Sequence, residues 1–499
     1  MTQGEWKNRL YYGDNLKIMR EEIPDNHVDL VYLDPPFNSG RSYNMPFTEP
    51  DGTRSDAQMH VFEDTWKWTS ETNALYEESI NDKDFPEKTR EILAFMDTYL
   101  GRKAPMMAYL TNMAPRLVEI LRVMNDTASV YLHCDPTASH YLKMLMDSIF
   151  GPTQFRNEII WHYRRWSNVT TAYQSMHDIM LFYSKGEAPS FKVQYQPYAH
   201  PEMIETTVRG IVDGKLVRLK DGGGAYIKRE KENKGVPMHD VWEDINFIAP
   251  TSKERLGYPT QKPRALLERI IKASCPDGGI VFDPFCGCST ALAAAESLKR
   301  RWIGIDITYL AVKTIKRRFE REFNSRVAPY SIEGRPKDYA SAMDLANRSD
   351  EVSGHGRYEF EWWIIDELGG QLVKGEGKKG PGKDGIIGFL DKNGLQKIII
   401  EAKSGENVGT PDLENLLGKM KGSNAVMGVL ATLHTKRTMQ PFCDQHSTYK
   451  FENMHGHKAE YPVLQMVSIK DFFDRKQRID YPSREQVKSW KDPHQRQLV

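Results

Sequence analysis

Three groups of residues in this 499-residue sequence have the types and spacing to do chemistry. The first is Asp34-Pro35-Pro36-Phe37, which follows the apolar run Val28 to Leu33. A strand ending there places the tetrapeptide at the carboxyl edge of a sheet, where open α/β folds bind ligands. An exocyclic base amine is a weak nucleophile because its lone pair is delocalised into the ring. A carboxylate and a backbone carbonyl that accept its two N–H bonds favour the pyramidal nitrogen that attacks a methyl group. Asp34 supplies the carboxylate and the carbonyl of Pro35 is the second acceptor. Pro36 completes the motif, and Phe37 offers a face for an extruded base.

The second group is Asp283-Pro284-Phe285-Cys286-Gly287-Cys288-Ser289-Thr290, set between a strand signal and a helix signal. Small residues there let the backbone approach a cofactor at a helix N-terminus. Asp306 lies 23 residues beyond Asp283, a spacing that suits a ribose hydroxyl pair. The third group is Asp384 with Glu401-Ala402-Lys403, with 16 residues between the two acids. Carboxylates at the ends of adjacent strands can hold Mg²⁺, and a lysine beside them can orient water or stabilise developing phosphate charge. Each group also has a plain structural reading, as a rigid turn, a tight strand-to-helix loop and a charged hairpin.

The elements that must carry these groups alternate. Arg9 to Tyr12 reads as a strand, Asn15 to Glu22 as a helix and Val28 to Leu33 as a buried strand. A helix over about Met107 to Met124 precedes a strand at Ala128 to Leu132. Strands at Gly279 to Phe282 and Trp302 to Ile305 flank an Ala-rich helix, Ala291 to Leu298. Strands alternating with helices imply a doubly wound, largely parallel sheet. Arg164 to Pro250 reads as an insert. From Arg164 to Asp240 it holds 12 Lys/Arg against 9 Asp/Glu, an excess of 12 − 9 = 3 that leans toward a polyanion. Lys316-Arg317-Arg318 reads as a solvated helix face. A second α/β unit opens with a helix at Tyr358 to Leu368, a loop at Gly375 to Gly382, and strands near Ile386 to Phe389, Ile398 to Ile400 and Ala425 to Leu430.

Bulk composition narrows the classes. Lys+Arg and Asp+Glu both number 68, so any DNA groove must come from local clustering. Five cysteines, Cys134, Cys275, Cys286, Cys288 and Cys443, lack paired metal spacing and imply neither a zinc site nor a disulfide framework. That fits a reducing cytoplasm. No apolar run approaches the ~20 residues that cross a bilayer, so no membrane partner is expected. His133 and Cys134 follow a buried strand and read as core.

The first two groups, together with Tyr12-Gly13-Asp14-Asn15, Val130 to Asp135, Asn157 to Trp161 and Tyr258-Pro259-Thr260-Gln261-Lys262-Pro263, form six ordered segments. They resemble the site-specific DNA amino-methyltransferases, in the circular order where the catalytic tetrapeptide precedes the cofactor loop. The resemblance spans roughly residues 5 to 325. It implies a Rossmann-like sheet, S-adenosylmethionine as methyl donor, and an adenine-N6 or cytosine-N4 target, with the initial Asp favouring adenine. It further implies that Asp14 faces the cofactor's adenine and Asp306 its ribose, while Phe285, Gly287 and Lys262 face its methionine part and Asp283 lies in the same cofactor loop. Ser289 stands where the family usually shows glycine.

The third group is similar to PD-(D/E)xK nucleases, in particular Mrr-like restriction endonucleases, with Asp384 and Glu401 as Mg²⁺ ligands, Lys403 beside them, and Glu359 or Glu361 as a further acid. The expected organisation is a catalytic half at 1–163, target recognition at 164–250, a cofactor half at 251–330, a linker at 331–355, a restriction-endonuclease-like domain at 356–482 and a tail. The expected partners are double-stranded DNA and either a second copy or a restriction subunit. The location implied is a prokaryotic or phage-infected cytoplasm, at the nucleoid. The competing readings are a cytosine-N4 enzyme whose C-terminal domain only binds DNA, and a methyltransferase acting on RNA or protein.

Overall fold

The computed structural model describes residues 6–36, 41–48, 54–64, 66–164, 171–197, 205–207, 209–212, 215–221, 223, 225–226, 228–230, 235–256, 258, 260–347, 357–373 and 384–482. Phe37 and the loop Gly375 to Gly382 lie outside them.

The first layer is a nine-stranded sheet. Its strands are β1 (Asn8–Tyr12), β2 (Val28–Leu33), β3 (Met124–Cys134), β4 (Phe155–His162), β5 (His177–Ser184), β6 (Val241–Trp242), β7 (Ile280–Asp283), β8 (Arg301–Asp306) and β9 (Tyr330–Glu333), in the order β6-β4-β5-β3-β2-β7-β8-β1-β9. Every neighbouring pair is parallel except those made by β5, which runs antiparallel to β3 and β4. The pleat sorts side chains to two faces. Leu10, Tyr12, Leu30 and Tyr32 enter one hydrophobic cluster, and Tyr11, Val31 and Leu33 enter the other. Burial on both sides accounts for the nearly continuous apolar runs of these strands.

Helices close both faces. α1 (Asn15–Glu22) is capped by Asp14, whose carboxylate accepts the Lys17 N–H at 3.0 Å. α2 (Pro105–Val123) starts on proline, whose fixed φ suits a first turn. α3 (Pro136–Phe150) is capped by Asp135, which accepts from the Thr137 and Ala138 amides. α4 (Arg264–Ser274), α5 (Thr290–Ser297) and α6 (Tyr309–Phe323) follow. α5 lies hard against β8, since a Cβ on Gly304 would come within 2.4 Å of Leu292 Cδ1.

Because β1, β2, β7 and β8 run parallel, their carboxyl ends share one edge. Asp14, Asp34, Asp283 and Asp306 all lie at or just beyond those ends. Topology alone therefore gathers acids that are up to 292 residues apart (306 − 14).

The second unit is a five-stranded sheet of β10 (Gln371–Val373), β11 (Asp384–Asp391), β12 (Gly394–Lys403), β13 (Met427–Thr432) and β14 (Leu464–Ser468), in chain order. β10, β11 and β12 are antiparallel, and β12, β13 and β14 are parallel. Between the two sheets the chain forms α7 (Tyr339–Ala346) and α8 (Arg357–Glu367), and α9 (Thr410–Ser423) joins β12 to β13.

Three expectations need correction. β5 sits inside 164–250 yet is a full member of the main sheet, with every residue from Ile179 to Ser184 buried, so the off-sheet ribbons begin only near Tyr195. The segment expected as linker carries β9, paired with β1, and α7, whose Leu345 is buried and whose Tyr339 hydroxyl donates to the Leu433 carbonyl at 3.2 Å. Arg318 is fully buried rather than solvated, donating to the Cys288 carbonyl, Thr290 Oγ1 and Glu322, and Lys316 pairs with Asp366.

The two units share a core. One hydrophobic cluster runs from Val281 and Tyr309 through Trp362 and Trp363 to Ile400 and Val429. Its polar seam is α8. Glu359, fully buried, accepts from the Tyr12 hydroxyl at 2.9 Å and the Tyr309 amide at 2.7 Å. Asp366 accepts from the Tyr309 hydroxyl and pairs with Lys313 and Lys316.

Candidate active site at the sheet edge

Asp34, Pro35 and Pro36 leave β2 at the shared edge. The carboxylate of Asp34 accepts two hydrogen bonds from Lys262 Nζ, at 2.7 and 2.8 Å. Both side chains are largely buried, so the pair is weakly screened. The Pro36 carbonyl accepts from Trp66 Nε1 at 3.4 Å. Phe37 lies outside the described residues.

Asp34 and Lys262 share a small cavity of about 40 Å³ with Tyr32, Thr260, Asp283, Phe285, Gly287 and Cys288. Asp283 is 3% exposed. Burial pushes its carboxyl well above the usual carboxylate range, against the Phe285 amide, which donates to it at 3.0 Å. Gly287 takes φ +48°, and its Cα faces Tyr258 so closely that a Cβ would meet the ring at 3.3 Å. The next residue but one, Ser289, is also left-handed at φ +63° without being glycine.

Asp306 organises the cofactor loop. One oxygen accepts from the Gly287 amide at 2.8 Å, and the other accepts from the Thr308 amide and hydroxyl. Burial raises its pKa and these bonds lower it, with a net rise. Asp14 lies across the edge in a second, larger cleft of about 1130 Å³ that Gly13, Ile307 and Arg335 also line. Its carboxylate pairs with Arg116 at 2.8 Å. Arg116 also donates to Asn15 Oδ1, and Asn15 donates to the Pro284 carbonyl, so α1, α2 and the cofactor loop are tied together. Arg116 is absent from the sequence reading, because no local pattern pairs residues 102 positions apart. Ile307, next to Asp306, lines the larger cleft, and Gly287, whose amide Asp306 accepts, lines the smaller cavity.

Cys286 and Cys288 are buried, and burial raises both thiols, so they pack as small apolar groups. Among the described residues no group of three or more His, Cys, Asp or Glu side chains gathers as a metal site.

A family model described as DNA methylase, of the N6/N4 type, matches residues 28–317, which is more than half of the chain. The chain belongs to the N6/N4 DNA methylase family. It is an S-adenosylmethionine-dependent DNA methyltransferase. Among curated relatives it is 24% identical over 360 residues to the type II methyltransferase M.EcaI of Enterobacter cloacae, covering 62% of this chain and 69% of that protein. It is 25% identical over 325 residues to the DNA adenine methyltransferase YhdJ of Escherichia coli K12, covering 64% and 84%. A solved structure of TTHA0409, a putative DNA modification methylase from Thermus thermophilus complexed with S-adenosyl-L-methionine, aligns at 16% identity and TM-score 0.35 over 65% of this chain and 98% of that one.

The second candidate site falls beyond the matched residues. Asp384 pairs directly opposite Glu401 in the backbone register of the β11–β12 ladder, and Lys403 follows Glu401 two residues on. The Asp384 side chain lies outside the description. Glu401 is 4% exposed, and its Oε1 pairs with Lys403 at 2.9 Å and with Lys419 of α9 at 3.3 Å. Its Oε2 makes no hydrogen bond to the described residues. Of the two acids offered as a further ligand, Glu359 is engaged with the methyltransferase sheet, and Glu361 is buried on the same helix.

Proposed function

We propose that the chain methylates adenine N6 in double-stranded DNA, and that its C-terminal domain is a Mg²⁺-dependent DNA nuclease in a restriction–modification setting. The observation that carries the first part is the single cavity shared by Asp34, Lys262 and the cofactor loop. Its donor set fits the methionine end of S-adenosylmethionine, which bears one ammonium and one carboxylate. Asp283 suits the ammonium and Lys262 the carboxylate, while Asp306 suits the ribose and Asp14 the adenine. When bound, the cofactor supplies an electrophilic methyl group on a sulfonium.

The remaining steps belong to the protein. The target base leaves the duplex, because its amine must reach Asp34 below the sheet edge, and Phe37 stacks on it. Asp34 and the Pro35 carbonyl accept the two N–H bonds, which localises the nitrogen lone pair. Asp34 then takes the proton shed by the methylated amine. The relative YhdJ, described as an adenine enzyme, supports N6 over cytosine N4. Sequencing of modified bases in DNA from a host expressing the chain tests this. The expected result is N6-methyladenine at one motif, lost in Asp34→Ala. N4-methylcytosine in its place would overturn the adenine reading.

The nuclease reading is carried by the buried Glu401 carboxylate, one oxygen of which has no described partner, opposite Asp384 and beside Lys403. With Mg²⁺ the chain should cut DNA lacking its own mark, and chelation should stop it. No cutting of any unmodified or modified DNA by the parent, at any metal or cofactor concentration, would make this domain a DNA-binding module instead.

A further inference from the structure

We infer that Glu359, on the helix that opens the second unit, is a positioning residue for S-adenosylmethionine, acting through Tyr309 and Tyr12 to hold Asp306 where the ribose binds. The inference rests on the reading of Asp306 as the ribose acid. It assigns part of the cofactor site to a unit that lies beyond the matched family residues, 28–317.

Glu359 is fully buried, and its Oε2 accepts from both the Tyr309 amide at 2.7 Å and the Tyr12 hydroxyl at 2.9 Å. These two donors bracket Asp306. Tyr309 follows it in the chain as the first residue of α6, and Tyr12 is its register partner on the neighbouring strand β1. The next residue on that side, Gly13, donates its amide to the Asp306 carbonyl at 2.9 Å. On the other side Thr308, directly before Tyr309, donates to Asp306 Oδ1 from its amide at 2.9 Å and its hydroxyl at 2.8 Å. Asp306 Oδ2 in turn accepts the Gly287 amide of the cofactor loop at 2.8 Å. One buried carboxylate oxygen therefore ties together the two segments that fix the acid.

The same helix holds Tyr309 at its other end. Asp366 lies seven residues beyond Glu359, about two helical turns and so on the same face of α8. It accepts from the Tyr309 hydroxyl at 3.0 Å and pairs with Lys313 of α6 at 3.2 Å. The Tyr12 ring meets the Tyr309 ring edge-on at 5.7 Å. Asp366 thus anchors α8 along α6, whereas Glu359 reaches the backbone beside Thr308.

An ionised carboxylate has about four lone-pair positions. Thr308 and Gly287 take two on Oδ1 and one on Oδ2, so the acceptor capacity left for a ribose hydroxyl is narrow and its direction is set by Thr308. A shift of the α6 N-terminus would re-aim it, which weakens cofactor binding without touching the methyl-transfer carboxylate, Asp34. Coupling is reciprocal. A cofactor whose binding is helped by the Glu359 contacts must strengthen those contacts, so the second unit senses whether the cofactor site is filled.

The test uses the full chain and S-adenosylhomocysteine, the demethylated product, as the calorimetric ligand. Glu359→Ala should weaken its binding by about 10-fold or more, because a hydrogen bond to a charged group is worth at least that factor. Tyr12→Phe, which removes one donor and keeps the carboxylate, should weaken it by about threefold and serves if Glu359→Ala does not fold. In steady-state methylation the same factor should appear in KM for S-adenosylmethionine, with kcat and KM for DNA within about twofold of the parent. Asp366→Asn is the control for lost stability, since it leaves the Tyr309 amide bond in place. It should lower the melting midpoint yet keep cofactor affinity within about twofold. In hydrogen exchange the ligand should slow the α8 amides of the parent more than those of the variant. Parental affinity in the folded variants, an equal loss of affinity in Asp366→Asn, or α8 exchange in the parent that ignores the ligand would overturn the inference. Asp306→Asn tests the underlying reading separately, because unchanged affinity there would move the ribose contact elsewhere whatever Glu359 does.

Discussion

Ser289 offers the most quantitative test of how the cofactor loop is built. It caps α5 in the left-handed region at φ +63°, where its side chain makes no capping bond. Its Oγ is buried and makes no hydrogen bond to the described residues. A left-handed residue with a Cβ costs about 1–2 kcal/mol, and a buried unsatisfied hydroxyl about 1–3 kcal/mol. Ser289→Gly removes both terms, offset by about 0.5–1 kcal/mol of added chain entropy in the unfolded state and by the loss of one buried carbon, about 0.8 kcal/mol. The net expectation is stabilisation by about 2 kcal/mol, a rise in melting midpoint of about 2–3 °C for a unit of this size, given an unfolding entropy of about 2 cal/mol/K per residue. Ser289→Ala removes only the hydroxyl and should recover roughly half of this. Differential scanning calorimetry of the three proteins should rank them Gly, Ala, Ser. A glycine variant that melts below the parent, or an alanine variant above glycine, would refute the left-handed strain argument.

Four further outcomes are expected. Asp283→Asn should weaken S-adenosylmethionine binding in calorimetry yet raise stability at neutral pH. The folded Asp283 carboxyl has a raised pKa, so its contribution falls as pH climbs above the unfolded value of about 3.9. Asp366→Asn should destabilise at neutral pH and converge with the parent in acid. Despite opposing burial, Lys313 and Lys316 hold Asp366 below its unfolded value, so its stabilisation is present above about pH 4 and lost as pH drops through the folded pKa. Lys403→Ala should abolish Mg²⁺-dependent cutting while leaving methylation within about twofold on a gel-based assay, since that lysine's ion pair lies within the second sheet. Truncation at about residue 340 should yield insoluble or cofactor-free protein in expression trials, and a soluble, cofactor-binding fragment would contradict the shared core described above.

The parts of the site that the sequence discloses are those encoded by adjacency. Asp34 and Asp306 are legible because each ends a strongly apolar strand, and apolar runs such as Val28–Leu33 and Trp302–Ile305 carry their own signal. Helix α1 is legible to the residue because Asp14 is both a family motif position and an N-cap. What escapes is lateral. The Arg116–Asp14 and Lys262–Asp34 pairs, and the hydrogen bonds from Tyr32 through His133 to Asp178, depend on sheet order, which no single segment encodes. β5 is missed because its run, His177 to Ser184, is flanked by polar insert sequence whose character dominates any wider window.

The linker expectation failed for an instructive physical reason. Residues 331–346 have weak apolar periodicity because they cover existing surfaces instead of building a core of their own. β9 needs only to extend an edge already formed by β1, and α7 needs only Ala342, Leu345 and Ala346 to seat against the second unit. The consequence reaches the cofactor site. Tyr309, the first residue of α6, has its amide capped by Glu359 from α8, while Thr308 beside it holds Asp306. A helix N-terminus normally finds its cap within a few residues of its own chain. Here an amide of that first turn is satisfied by a fully buried carboxylate 50 residues away, on the helix that opens the second unit. Withdrawing Glu359 would deprive a buried amide and the Tyr12 hydroxyl of this acceptor, at a cost of about 1–3 kcal/mol each, next to the acid proposed to hold the ribose. The position of the second unit and the shape of the cofactor edge are therefore set by the same contact.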